Sequence, residues 1–297
     1  MLDYKLVEAF AAVVGEGGFE KGARVLHLTQ GAVSQRVKLL EEQAGCVLLV
    51  RSSPPRPTAA GQAMLKHFRQ VRRLEEDLDA GLGRAGAAFD TLAVGLNADS
   101  LATWFFPAVN AYLDAEPVLL DLSVDDQAET LTLLKTGGVL GCIADRAEPV
   151  QGCRAEYLGD MDYRLYATPS YKMKWYKNGA VLEDVEAAPI LIFNRKDVMH
   201  EVLLAGALGR SPALLAPFYL PSSEQFAPAI ATGRVCGMLP DQQAAPYLAR
   251  GEIVDLLPGH VFTVRLHWQC WNLESVRLAG FTEALVRGAR ALLAQRP

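Results

Sequence analysis

The sequence predicts an α/β protein headed by a small helical module. Three observations carry this. Residues 3–45 place apolar side chains mainly at helical spacing, residues 59–82 form one long heptad-like run, and from Thr91 onward short apolar runs alternate with helical stretches. With 297 residues, 51% hydrophobic and 21% charged, the chain has an ordinary globular composition and enough length for two or three cores.

The first helix is expected over 3–15, where Leu6, Phe10, Val13 and Val14 share a face, and Gly17-Gly18 stops it. A second runs from Phe19 to Leu26 with Phe19, Ala23 and Leu26 inward. Thr29 is a good N-cap for a third, and Gly45 is placed to end it. On that third helix Val33, Val37, Leu40 and Ala44 form one stripe, and Gly31, Ser34, Gln35, Lys38 and Glu42 form the opposite one. One face packs, and the other must meet something polar. Next, CVLLVR (46–51) reads as a buried strand, and SSPPRP (52–57) is a stiff non-helical turn flanked by Arg51 and Arg56, either a wing or a plain loop.

Charge distribution adds to this. From Lys21 to Arg73 there are ten Lys or Arg against Glu41 and Glu42, a net +8 inside a chain of net −5. Basic charge around a helix with a polar outer face is the footprint of a nucleic-acid binder, although a solvated basic surface has the same composition. Helix, helix, tight turn and polar-faced helix is the helix-turn-helix plan, whose last helix enters the major groove. LTQGAVSQRVKLLEEQAG followed by LLVRSSPPRPTAAG resembles the winged helix-turn-helix of LysR-type transcriptional regulators, and the length and layout of the whole chain match that family. The resemblance implies double-stranded DNA as partner, with Gln30, Ser34, Gln35 and Arg36 reading bases and Arg51 and Arg56 contributed by the wing. The helical wheel adds Lys38, places Arg36 at the edge of the packed face as a phosphate clamp or edge reader, and leaves Thr29 at the helix start. Gly31 departs from the Ser or Pro usual in the family and removes one side-chain contact.

Thr58 can cap the long helix from Ala59 to beyond Leu82, in which Met64, Phe68, Val71, Leu74, Leu78 and Leu82 recur near the 3.5-residue period of a coiled-coil seam. RRLEEDLD supplies charges around it. The seam packs either on the chain's own core or on a second copy. The resemblance favours a homodimer, with a homotetramer a further option, and a dimer presents two reading helices to an operator of two-fold symmetry.

Gly81, Gly83 and Gly86 loosen the chain before the α/β part. Strands are expected at TLAVGL, VLLDLSV, VLGCIA, YRLYAT, PILIF, VCGML and EIVDLL, and helices near 100–114, 126–136, 197–208, 222–232, 241–249 and 275–294. The resemblance implies two subdomains with a cleft between them, similar to type 2 periplasmic binding proteins. The partition is then 1–58 (DNA-binding), 59–88 (linker and dimerisation helix) and 89–297 (effector-binding, with subdomain I as 89–163 plus 267–297 and subdomain II as 164–266).

Ligands of such sheets sit at strand carboxyl ends against helix starts. NADSLATWF (97–105) offers the Ser100 and Leu101 amides, the Ser100 hydroxyl and Thr103; SSEQF (222–226) offers Ser222 and Ser223. Asp99 and Ser222 are also favoured N-caps, so each start has a self-capped alternative. Asp99, Asp125, Asp126 and Asp145 gather at the predicted strand ends, favouring a cationic ligand, or else they are solvated turns. Within the family, NADSLATWF, VRSSPPRPT and the SSE segment resemble the lysine- and arginine-responsive exporter regulators (the ArgP/LysG-like subgroup), which implies lysine or arginine as effector. Gln127 stands where that subgroup would carry another acid.

No run reaches the roughly 18–20 apolar residues of a membrane span, and MLDYKLVEAF lacks the features of a signal peptide. A cytoplasmic protein with no membrane partner is expected. Cys46, Cys142, Cys153, Cys236 and Cys270 are odd in number and contain no CxxC, so buried free thiols are expected rather than disulfides or zinc. The histidines His27, His67, His200, His260 and His267 form no H-x-x-x-H pair, and no GxSxG, Walker A or GxGxxG stands in the required context, so neither an enzyme nor a cofactor is expected. A non-specific architectural DNA protein would explain the basic segment but not the α/β remainder.

Overall fold

The computed structural model describes residues 2–83, 89–125, 127–177, 179, 181–213 and 215–296. Gly86 and Asp126 lie outside them, and so does the end of the predicted linker at residue 88. Helices α1 (Tyr4–Gly15), α2 (Phe19–Val25) and α3 (Gln30–Ala44) form the amino-terminal module. Phe10 and Val13 of α1, Ala23 of α2, and Val33, Val37 and Leu40 of α3 close one small core. His27 adopts the left-handed conformation, φ 53°, between α2 and α3, and Leu28 N donates to Ala23 O at 2.9 Å, which makes the turn tight. Gly45, φ 67°, ends α3 as expected.

The predicted strand over 46–51 shrinks to β1 (Leu49–Val50), paired antiparallel with β2 (Arg56–Pro57). Two competitors account for this. The amides of Leu48 and Leu49 are taken by Glu41 Oε1, at 2.9 and 3.1 Å, and Pro54, Pro55 and Pro57 cannot donate to a ladder. Thr58 starts α4 (Ala59–Gly81): its hydroxyl accepts from Gly61 N at 3.1 Å and donates to Val47 O at 2.8 Å. A Cβ at Gly61 would lie 2.1 Å from Leu48 O, so no other residue fits there without backbone movement.

Along α4, Met64, Leu65 and Phe68 pack on the amino-terminal core, but Leu74, Leu78 and Leu82 are 40%, 61% and 56% exposed. The charges of RRLEEDLD do not all face water. Arg73 is buried and reaches the first strand of the α/β part, donating to Asp90 Oδ1 at 2.7 Å and Oδ2 at 2.6 Å as well as to Asp77. Arg277 adds an ion pair to Asp90 at 3.6 Å and another to Glu116 at 3.2 Å. The linker helix is thus joined to the larger part of the molecule by an ionic network centred on the buried Arg73 guanidinium.

The remaining elements are β3 (Asp90–Leu96), α5 (Ala98–Ala102), α6 (Phe105–Ala115), β4 (Val118–Val124), α7 (Gln127–Thr136), β5 (Gly141–Ala144), β6 (Cys153–Ala167), α8 (Pro169–Trp175), α9 (Leu182–Ala187), β7 (Pro189–Ile192), α10 (Met199–Leu208), β8 (Ala216–Tyr219), α11 (Ser223–Ala231), β9 (Cys236–Pro240), α12 (Asp241–Ala249), β10 (Val254–Asp255), β11 (Phe262–Trp271) and α13 (Val276–Leu292). The sheet runs β4-β3-β5-β11-β6-β9-β7-β8, with β10 on β6. At its centre β6 and β11 pair antiparallel from Phe262↔Tyr163 to Trp271↔Cys153. One end of this ribbon carries β5, with β3 and β4 parallel beyond it; the other carries β9, with β7 and β8 parallel beyond. Two α/β subdomains therefore share two long strands.

These long strands exceed the expected YRLYAT run, and β8, α8, α9 and β11 were not expected at all. Segment 153–162 is rich in polar residues that hide a strand pattern, yet those side chains find partners: Asp162 pairs with Arg296 and accepts from Thr263 Oγ1 at 2.7 Å, and Tyr157 donates to Asp160 at 2.7 Å. The single helix expected over 100–114 is broken between α5 and α6, where Thr103 Oγ1 donates to Asp99 O at 2.6 Å in place of the continuing helix. Of the cysteines, Cys142, Cys236 and Cys270 are buried thiols, but Cys46 is exposed and Cys153 half-buried.

Candidate functional site

Two surfaces carry the candidate residues. The first is the outer face of α3. Thr29 is exposed and spends its hydroxyl on the helix, accepting from Ala32 N at 3.2 Å. Gln30, Gly31, Gln35 and Lys38 are exposed, and Ser34 and Arg36 are half-buried. The face is therefore a polar ridge of small and amide side chains, with Arg36 at its edge as the wheel requires. Lys38 lies 3.6 Å from Glu42 in an exposed pair, an arrangement that leaves the ammonium free to exchange partners. At the wing, Arg51 and Arg56 are exposed. The Arg51 guanidinium sits 5.8 Å from the Phe19 ring centroid, tying the wing to α2.

The second surface is the cleft at the strand ends. Strands β3, β4 and β5 run parallel, so Asn97, Asp125 and Asp145 leave the same edge of the sheet. Among the described residues, the acids do not converge as a group. Asp125 and Asp145 are exposed, whereas Asp99 turns inward and meets the other subdomain. Ser223 Oγ at the first turn of α11 donates to Asp99 Oδ1. Tyr163 OH, on β6 where the chain crosses, donates to Asp99 Oδ2 at 2.8 Å. Gln243 Nε2 on α12 donates to Ser223 Oγ at 3.1 Å and to Ser223 O at 3.3 Å. Burial pushes the Asp99 carboxyl above its ordinary range against the two hydrogen bonds that favour its charge, and Asp197 adds like-charge repulsion. Tyr163 is raised far above its usual value, by burial first and then by Asp99.

The two helix starts differ from expectation. Asn97, not Asp99, holds the N-cap position of α5, and Leu101 N is already used, donating to Asn97 O at 3.2 Å. Ser222 holds the N-cap position of α11 without a side-chain capping bond, so it is not self-capped. Around Asp99 several buried polar atoms have no partner among the described residues: Asn97 Oδ1, Ser100 Oγ, Trp104 Nε1 and Gln243 Oε1. Buried polar groups are nearly always paired, so these four atoms keep hydrogen-bonding capacity that the described residues do not use. Tyr163, Asp197 and Gln243 carry no local signal in the sequence, whereas Asn97 stands within NADSLATWF at a favoured N-cap position.

A DNA-reading helix on a winged scaffold, joined by a long helix to a two-lobed α/β domain with a polar crevice, is the plan of a ligand-sensing transcriptional regulator. Comparison with known proteins agrees. Residues 4–62 match the bacterial regulatory helix-turn-helix protein, lysR family, and residues 85–288 match the LysR substrate binding domain. The chain belongs to the LysR family of transcriptional regulators and is not an enzyme. It is 42% identical over 291 residues to the HTH-type transcriptional regulator ArgP of Pseudomonas aeruginosa, covering 97% of this chain and 96% of that one. Among solved structures it is similar to ArgP from Mycobacterium tuberculosis (TM-score 0.91, 35% identity, 100% of both chains). It is also similar to full-length LysG from Corynebacterium glutamicum with bound effector arginine (TM-score 0.83, 35% identity, 99% of this chain and 100% of that one).

Proposed function

We propose that this regulator senses a basic amino acid, lysine or arginine, in its cleft and governs genes for basic amino acid export or metabolism. The observation that carries the reading is Asp99: a carboxylate enclosed between two subdomains, held by Ser223 and Tyr163 and ringed by unpartnered polar atoms. An effector ammonium suits Asp99, Asn97 Oδ1 and Gln243 Oε1; an effector carboxylate suits the Ser100 hydroxyl and the neighbouring Ser222. Asp125 and Asp145 then act as a more distant acidic rim, to which the sequence adds Asp126, and Thr103 supports the turn that presents Asp99. Because the Ser223–Asp99 bond spans the cleft, a cation that competes for Asp99 changes the contact between subdomains, and only such differential affinity shifts a two-state equilibrium.

On the DNA side, Gln30, Ser34 and Gln35 read base edges, Arg36 and Lys38 work at the ridge edge, and Arg51 and Arg56 hold phosphates. The exposed Leu74, Leu78 and Leu82 seam pairs two chains into a homodimer, with the partition 1–58, 59–88 and 89–297 following from these roles. The LysG structure with bound arginine supports the choice of effector. The place of action is the cytoplasm, where DNA and the amino acid pool meet.

The test is thermal unfolding of the full-length protein across the twenty amino acids. Lysine or arginine alone is expected to raise the midpoint, since ligand at about a hundredfold excess over Kd adds roughly 2.7 kcal/mol; no selective rise would remove the basic effector. Asp99→Asn is expected to abolish the rise. Because the folded pKa of Asp99 is raised, the carboxylate form that holds a cation is populated only as pH climbs above the ordinary carboxylate range. Arginine affinity is therefore expected to increase with pH through that window. Unliganded stability follows the opposite sign there, since the folded chain binds the Asp99 proton more tightly than the unfolded one.

A further inference from the structure

The two subdomains share β6 and β11, and the middle of that ribbon has little other support from the sheet. Residues 267–270 of β11 pair with β5 on one side, and residues 163–166 of β6 pair with β9 on the other. Between these points, residues 160–162 of β6 and 263–265 of β11 pair with each other, and among the described residues the further partner is Ala294, bridged to Asp160. The backbone is irregular beside them: Gly159 has φ 143°, and the register shifts between Leu266 and His267. A ribbon of two strands twists more than a wider sheet.

Segment 293–296, which follows α13, lies along this stretch. Helix α13 is itself seated on the first subdomain: a Cβ at Gly288 would come within 2.3 Å of Ala108 O on α6, and Arg290 Nε donates to Tyr157 O at 3.1 Å. Beyond the helix, Gln295 Nε2 donates to Leu158 O at 3.0 Å, and Asp160 N donates to Ala294 O at 2.8 Å. A Cβ at Gly159 would stand 2.5 Å from Leu293 Cβ, so the segment presses directly on the irregular residue. Arg296 then reaches further. Its Nη1 donates to Asp162 Oδ1 at 2.8 Å and to Thr263 Oγ1 at 3.2 Å, and its Nη2 donates to Asp162 Oδ2. Asp162 and Thr263 are register partners, so one guanidinium grips both strands. The Arg296 hydrogen bonds hold the Asp162 carboxyl below its ordinary range. The next residue, Tyr163, is the one that donates to Asp99.

We propose that segment 293–296 is a strap across the bend between the subdomains, and that Arg296 is the positioning residue that restrains it. Rotation of one subdomain on the other twists β6 against β11 and pulls Asp162 and Thr263 away from an arm fixed to the first subdomain. The strap therefore favours the arrangement in which Ser223 meets Asp99, and a ligand that rearranges the cleft works against it. The restraint is independent of what enters the cleft; its effect on ligand affinity rests on the basic amino acid reading above.

The experiment is amide hydrogen exchange on the ligand-free full-length protein, followed by calorimetric titration with L-arginine. The Arg296 side chain is 44% exposed, so its variants fold. Arg296→Ala is expected to speed exchange of the amides in 158–163 and 262–267 by about tenfold, the worth of roughly one charge-assisted hydrogen bond, with β3 and β7 unchanged. Arg296→Lys is expected to recover part of the protection, because an ammonium keeps the charge but not the two-pronged grip. In the titration Arg296→Ala is expected to bind arginine several-fold more tightly, since the rearrangement costs less. Unchanged exchange in Arg296→Ala, or protection lost evenly over the whole chain, overturns the strap. Faster exchange with arginine affinity unchanged or weakened overturns its coupling to the cleft. If the wild type binds no arginine, the effector reading falls and the exchange result alone decides the strap.

Discussion

The α3 ridge and the Asp99 cleft are both polar surfaces, and both are proposed above as ligand sites, yet they are built in opposite ways. On α3, consecutive turns of one helix supply Gln30, Ser34, Gln35 and Lys38, and the buried Val33, Val37 and Leu40 behind them fix their direction. In the cleft, Asp99, Tyr163, Ser223 and Gln243 come from four elements spread over more than a hundred residues. A surface carried by one helix is robust to changes elsewhere; one assembled across a crevice depends on every element that closes it. This is why the first is suited to reading a rigid duplex, and the second to responding when something enters.

Substitutions can break or sharpen the contrast. The largest effect is expected from Arg73→Ala at the join between the two regions, since it leaves Asp77 and Asp90 without their buried partner: about 3–5 kcal/mol lost in denaturant unfolding. A loss under about 1 kcal/mol would show that the ionic join is solvated and the two regions are mechanically independent. Next, Gly61→Ala pushes a methyl group into Leu48 O and is expected to cost about 3 kcal/mol, confined to the amino-terminal module. Hydrogen exchange should show faster opening of α1 to α3 with the α/β part unchanged; uniform loss would mean that the module is not a separate unit.

Smaller effects test the ridge. Ser34→Ala and Gln35→Ala are expected to reduce discrimination between operator and random DNA by about 1–3 kcal/mol each, while Arg56→Ala weakens both DNAs alike. Identical behaviour of the three in binding titrations would erase the distinction between readers and clamps. Smallest of all, Glu42→Ala removes an exposed pair with Lys38 and is expected to change stability by less than about 0.5 kcal/mol.

How far the sequence alone reaches follows the same division. It determined the helices of the amino-terminal module, the Thr29 and Thr58 caps, the Gly45 stop and the direction of the α3 ridge, because each depends on neighbours within four residues. It determined the alternation of strand and helix for the same reason. Tertiary structure decided what local pattern cannot encode: that Glu41 takes the Leu48 and Leu49 amides and cuts the wing strand short, that Arg73 turns inward to Asp90, and that β6 and β11 run long because Arg296 and Thr263 satisfy their polar side chains. It also decided which of the acids in the cleft is enclosed. Asp99, Asp125 and Asp145 are alike as residues at strand ends, and only the arrival of Ser223 and Tyr163 from elsewhere in the chain takes one of them out of water, where a charge demands a partner.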